Sequence, residues 1–125
     1  MAGKDPRLFW DQDAADRGDS PYVPEFISPS NPAEWRAIAE PGFWYVYILY
    51  TDHIRRHPVY VGMTGDVSRR LAQHKTTKAW WPLVHRIIVD RCSSQGEARE
   101  LQEGFIRRMK PLFNVVSNLH TVEVD

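Results

Sequence analysis

Cysteine occurs once in this 125-residue chain, at Cys92, so no intrachain disulfide can brace it. No apolar run approaches the roughly 20 residues that a membrane-spanning helix needs. The opening stretch, MAGKDPRLFWDQDAADRGDS, lacks the basic start and apolar core of a secretory signal. These absences point to a soluble protein of the reducing cytoplasm. Net charge is missing too: 16 Lys and Arg balance 16 Asp and Glu, which argues against a strongly basic nucleic-acid binder. There is no internal repeat and no low-complexity tract. The length suits one domain with a modest core.

The charges that are present are unevenly placed. Residues 1–40 hold 4 basic against 8 acidic side chains; residues 41–125 hold 12 against 8 and carry all five histidines. The second part is therefore +4, which keeps a nucleic-acid partner open for it. Residues 1–41 read as an extended arm, since VPEFISPSNP is too rich in proline for a long regular element, followed by a short helix over NPAEWRAIAE. In that helix Asn31 suits the cap, Pro32 the first helical position and Glu34 the capping box. Phe9, Trp10, Phe26, Trp35 and Ile38 give the arm apolar anchors, so it is expected to pack on the domain that follows.

Residues 42–116 read as that domain, and 117–125 as a tail. FWYVYILYT (43–51) is dense in aromatic and β-branched residues, as a buried strand should be; a short polar link joins it to a second strand, PVYVGM. The pair reads as an antiparallel hairpin. TGDVSRRLAQHK follows as a helix, capped by Thr64 or Asp66, with Val67 and Leu71 on one stripe. VHRIIVDRC is a third strand, and SSQGEARELQEGFIRRMK an amphipathic helix stopped by Pro111. The expected fold is α+β and sandwich-like: a small three-stranded antiparallel sheet flanked by helices.

Alternation sets Tyr45 and Tyr47 on one face of the first strand, and Tyr60 and Gly62 on one face of the second. The hairpin can bring Tyr47 beside Tyr60. Arg70 and His74, four residues apart, stack on one helical face beside the apolar stripe, while Arg69 points to solvent. Each of these residues taken singly also fits an ordinary packing role.

Taken together they resemble the GIY-YIG nuclease family. YVY (45–47) stands for its first motif, YVG (60–62) for its second, and Arg70 and His74 fall at its helical positions. EARELQEGFIRRMKPLFN is similar to the family's last helix, with its closing Pro111, Phe113 and Asn114. The first motif departs from Gly-Ile-Tyr in the manner of the small stand-alone members. The resemblance implies metal-dependent hydrolysis of DNA phosphodiesters. Tyr60 would take the proton of the attacking water, Tyr47 and His74 would hold the nucleophile, Arg70 would grip the phosphate, and Asn114 would brace the site.

The family also uses a glutamate on the last helix to hold one Mg²⁺ or Mn²⁺. Its register lands on Gln102, a neutral isostere that binds a hard cation far less well than a carboxylate does. At about 100° per residue Gln102 lies at the edge of the apolar arc formed by Ala98, Leu101, Phe105 and Met109, whereas Glu100 and Glu103 turn away from it. An isosteric change of the kind made to trap a complex, a natural inactive relative, and a residue that merely packs all fit. The chain as written is expected to bind the ion weakly and to cleave slowly or not at all.

DNA contacts are expected from Tyr45, Gly62, Arg55, Arg56, Arg69, Lys75 and Lys78, with Arg107 and Arg108 as further phosphate partners. Lys75 and Lys78 adjoin Trp80 and Trp81, a pattern that fits either base stacking or a core, with the core favoured. A homodimer is one way for a one-site nuclease to cut both strands. The rival expectations are a GIY-YIG-fold DNA-binding module that has lost catalysis, and a protein-interaction domain.

Overall fold

Strand-forming residues between Phe43 and Cys92 make most of the sheet. The computed structural model describes residues 25–51 and 57–113. In chain order these form strand β1 (Glu25–Ile27), helix α1 (Pro32–Ile38), strands β2 (Trp44–Tyr50) and β3 (Pro58–Thr64), helix α2 (Val67–Thr77), a 3₁₀ turn (Trp81–Leu83), strand β4 (Arg86–Cys92) and helix α3 (Gln95–Met109). The architecture is α+β, with an antiparallel sheet in the order β1-β4-β2-β3.

The sheet has four strands, not three. The added strand comes from the arm, where Glu25, Phe26 and Ile27 pair with Val89, Ile88 and Ile87 of β4. Three residues between prolines are too few to carry a periodic signal, and their partners lie far along the chain. The short strand covers one edge of β4, which would otherwise present unpaired backbone groups. Ile27 and Trp35 are buried, and the Trp35 indole donates to the Ser28 carbonyl at 2.7 Å. Phe26 remains 38% exposed, with the Arg86 guanidinium 4.9 Å over its ring. Phe9 and Trp10 lie outside the described residues.

Helix starts follow their local chemistry, with one exception. Asp66 caps α2, its carboxylate accepting from the Arg69 amide at 3.1 Å, and Ser94 caps α3 by accepting from the Glu97 amide at 3.1 Å. Asn31 stands at the cap position of α1 but makes no side-chain cap bond there; Glu34 instead accepts from the Ser28 amide at 3.0 Å. At the far end of α3, Lys110 takes a left-handed φ of 49° and its amide bonds to the Ile106 carbonyl, stopping the helix before Pro111.

The two faces of the sheet bury different things. α3 covers Val46, Ile48, Val61, Met63, Ile88 and Cys92 with Ala98, Leu101, Phe105 and Ile106. α1 and α2 cover Tyr45, Tyr47, Leu49, Tyr60, Ile87 and Val89 with Trp35, Val67 and Leu71. Past α3 the chain turns along the free edge of β3, where the Leu112 and Phe113 amides donate to the carbonyls of Pro58 and Val59 at 3.2 and 2.9 Å. Among the described residues no helix is long and apolar enough to cross a membrane.

Candidate active site

The aromatic face of the sheet holds the candidate site, and its geometry begins with a glycine. Tyr47 of β2 lies opposite Gly62 of β3. A Cβ at Gly62 would come within 2.5 Å of the Tyr47 Cζ and 2.9 Å of the Tyr60 Cε2. The missing side chain is thus what lets the Tyr47 ring lie across β3. From there the Tyr47 hydroxyl reaches His74 of α2, with 2.7 Å between the oxygen and Nε2. Both residues are fully buried, a state that polar groups tolerate when they are paired.

Tyr60 completes the cluster. Its ring centroid lies 6.2 Å from that of Tyr47 and 5.1 Å from that of His74 in an edge-on arrangement. Burial, reinforced by the neighbouring Tyr47, pushes the Tyr60 phenol well above its ordinary pKa, and the Arg70 guanidinium pulls it partly back. Tyr60 is therefore neutral throughout the physiological range. Arg70, half-buried one turn before His74, also donates to the Gln73 side chain. Tyr47, Tyr60, Arg70 and His74 come from three elements and meet at one place.

Two further aromatic residues belong to this neighbourhood, and sequence patterning did not single them out as a unit. Trp80 stacks on Tyr60 with centroids 5.2 Å apart and planes 22° from parallel, and lies 5.3 Å from His74. Phe113 stacks in turn on Trp80 at 5.9 Å and 19°. Trp81 turns elsewhere, edge-on to Trp35 at 5.9 Å. The tryptophan pair thus divides its work: Trp81 holds α1, and Trp80 lines the site. Only the Lys-Trp interleaving hinted at this.

The remaining expected residues are spread more widely. Tyr45 is buried; its hydroxyl accepts from the Glu40 amide at 2.7 Å and donates to the Ile38 carbonyl at 3.1 Å, bracing the connection from α1 to β2. Gly62 is buried beneath the tyrosine rings, where its contribution is room. Arg69 and Lys75 are exposed on α2, Lys78 is half-buried at its end, and Arg107 and Arg108 are exposed on α3. Arg55, Arg56 and Asn114 lie outside the described residues.

Gln102 is fully buried on α3, the helix that covers the opposite, aliphatic face. Glu103 beside it is half-buried and Glu100 exposed, in keeping with their helical phase. The resemblance implies a divalent cation, but the one inward position it assigns carries a neutral amide. Among the described residues no three His, Cys, Asp or Glu side chains converge. This donor set does not fit a tightly held hard cation.

No family model matches the chain, and no solved structure matches it significantly. Over 84 residues, 62% of this chain, it is 33% identical to UvrABC system protein C of Haemophilus influenzae, a match that spans 13% of that protein's length, so what the chain is similar to is a small portion of a larger protein.

Proposed function

We propose that this chain is a GIY-YIG-type nuclease domain that processes DNA by phosphodiester hydrolysis, and that Gln102 leaves it slow or silent as it stands. The observation that carries the reading is the convergence of Tyr47, Tyr60 and His74, with the Tyr47 hydroxyl 2.7 Å from the His74 Nε2, beside an Arg70 close enough to lower the Tyr60 pKa. The likeness to UvrABC system protein C supports the same reading.

The residues divide the task by their chemistry. Arg70 offers a planar, cationic fork that matches a phosphate. The Tyr47–His74 pair fixes both hydroxyl and imidazole and places them to orient a water. Tyr60, held neutral by burial, presents a hydroxyl that would orient that water in the resting state; it accepts the water's proton only after giving up its own phenolic proton to solvent, a loss that positive charge beside it favours. Arg70 supplies part of that charge and Gln102 supplies none. By the resemblance a carboxylate at that position would hold the ion; the amide present does not fit it.

The buried amide favours one alternative specifically: a module that keeps the phosphate grip of Arg70 and has given up hydrolysis. Two assays separate the readings. In the first, labelled DNA is titrated at rising salt. Log affinity that falls linearly with log salt, and that is weakened by Arg70→Ala, supports a DNA role; no binding at low salt points to a protein-interaction domain. In the second, plasmid and oligonucleotides are incubated with Mg²⁺ or Mn²⁺ and the Gln102→Glu protein. Cleavage supports the nuclease reading, and binding without cleavage the module.

A further inference from the structure

The stack Tyr60–Trp80–Phe113 runs outward from the buried cluster to the surface, and among the described residues its outer end has no further aromatic partner. The rings are nearly parallel at both steps, 22° and then 19°. Exposure rises along the series: Tyr60 is 2% exposed, Trp80 is half-buried and Phe113 is 43% exposed. Phe113 is also held in place by its own backbone, its amide bonded to the Val59 carbonyl at 2.9 Å on the edge of β3. A ring that is exposed and held by its own backbone presents a fixed aromatic surface to solvent.

The cations nearest in sequence narrow what could cover it. Lys75 and Lys78 precede Trp80 on the end of α2, and Lys110 precedes Phe113 at the end of α3, so both ring-bearing segments arrive with cations and without a carboxylate between. Cations close in sequence to an exposed π-face suit a polyanion that itself carries flat rings. An apolar protein segment would use the ring and leave the lysines idle; a free phosphate would use the lysines and leave the ring bare.

We infer that Phe113, backed by Trp80, is a stacking platform for an unpaired nucleobase of a single-stranded nucleic acid whose backbone leads to Arg70. The inference rests on the nuclease-type reading above and deepens it by naming the substrate form: a strand with at least one unstacked base next to the site. Paired bases keep both faces covered and cannot cap the ladder without being unstacked first. The preference is for single strands, flaps or junction ends over continuous duplex, with little dependence on which base is presented, because every base has a π-face.

The test uses the full chain and two fluorescently labelled oligonucleotides of equal length, one ordinary single-stranded DNA and one abasic throughout, so that phosphates match and bases do not. Binding is followed by anisotropy at low salt, with tryptophan quenching as a second signal. The expected result is binding of the ordinary strand roughly ten-fold tighter than the abasic one. Phe113→Leu, which keeps apolar bulk but removes the π-face, should abolish that difference without weakening abasic binding, and Phe113→Trp should preserve it. Circular dichroism melts of both variants confirm that each is folded. Equal affinity for the two strands in the unsubstituted protein, or a difference that survives Phe113→Leu, overturns the platform while leaving the phosphate site standing. Failure to bind either strand overturns the nucleic-acid reading itself, and the platform with it.

Discussion

The two faces of one sheet are built from the same strands and differ in almost everything else. The face under α3 is aliphatic: Val46, Ile48, Val61, Met63 and Ile88 meet Leu101, Phe105 and Ile106. The face under α1 and α2 stacks tyrosines around a buried histidine. Period-2 alternation in β2 and β3 separates the sets, so one seven-residue strand feeds an aliphatic layer on one side and the tyrosine cluster on the other. Both faces bury a hydrophobic core, but only the face under α1 and α2 also buries a histidine paired with a tyrosine hydroxyl.

Substitutions on the α3 side should cost the most. Phe105→Ala removes a buried ring from the aliphatic layer and should lower unfolding free energy by about 3–5 kcal/mol in a urea titration, with little direct effect on the tyrosine cluster. A comparable loss from Tyr47→Phe would erase the contrast between the faces.

Alkaline pH probes both faces through one tyrosine each. Burial pushes Tyr50, on the α3 side, up to about 12, and raises Tyr60 further still. Both are neutral in the folded state above pH 10, where unfolded tyrosine ionises. The folded protein then holds more protons than the unfolded one, so stability is fully present below pH 10 and falls as pH rises toward and through the folded values. Each group should contribute up to about 1.4 kcal/mol per pH unit to that slope. Urea midpoints between pH 9 and 11.5 should show the decline, and Tyr50→Phe and Tyr60→Phe should each flatten it. An unchanged slope in both variants would contradict the assigned burial.

Gly62→Ala sharpens the comparison from within β3. Its Cβ has nowhere to go but into the buried Tyr47 ring, so a loss of about 1–3 kcal/mol is expected, with displacement of the hydroxyl from His74. In a Tyr47→Ala background the same change should cost much less, and equal costs in both would mean that the ring is not what Gly62 accommodates. Tyr47→Phe alone deletes one buried hydrogen bond to His74 and should cost about 1–2 kcal/mol in the same titration. Smallest of all, Asp66→Ala removes the cap of α2 and should cost about 1 kcal/mol while leaving the cluster assembled.

Much of this was legible from the residues, and the exceptions have physical reasons. The hairpin, the third strand, both long helices and the shared face of Tyr45 and Tyr47 follow from periodicity, which is a local property. Helical phase likewise placed Gln102 inward and Glu100 outward, as the structure has them. The pairing of Glu25–Ile27 with β4 was not legible, because three residues are too short to declare a period and their partner is set by tertiary packing. Asn31 stands at the expected cap position, but its side chain makes no cap bond, and Glu34 binds the Ser28 amide. The Tyr60–Trp80–Phe113 stack brings together a strand, a turn and the end of a helix, and no spacing rule reports such a meeting.

The most direct test of the account is the DNA cleavage rate of the Gln102→Glu protein with Mg²⁺ against that of the same protein carrying Tyr60→Phe. Measurable cutting is expected in the first and a loss of about 10²-fold or more in the second, the scale of a lost acid–base group. Equal rates in the two proteins, or no cutting by the first on any DNA form, would contradict the claim that the tyrosine face of this sheet hydrolyses phosphodiesters.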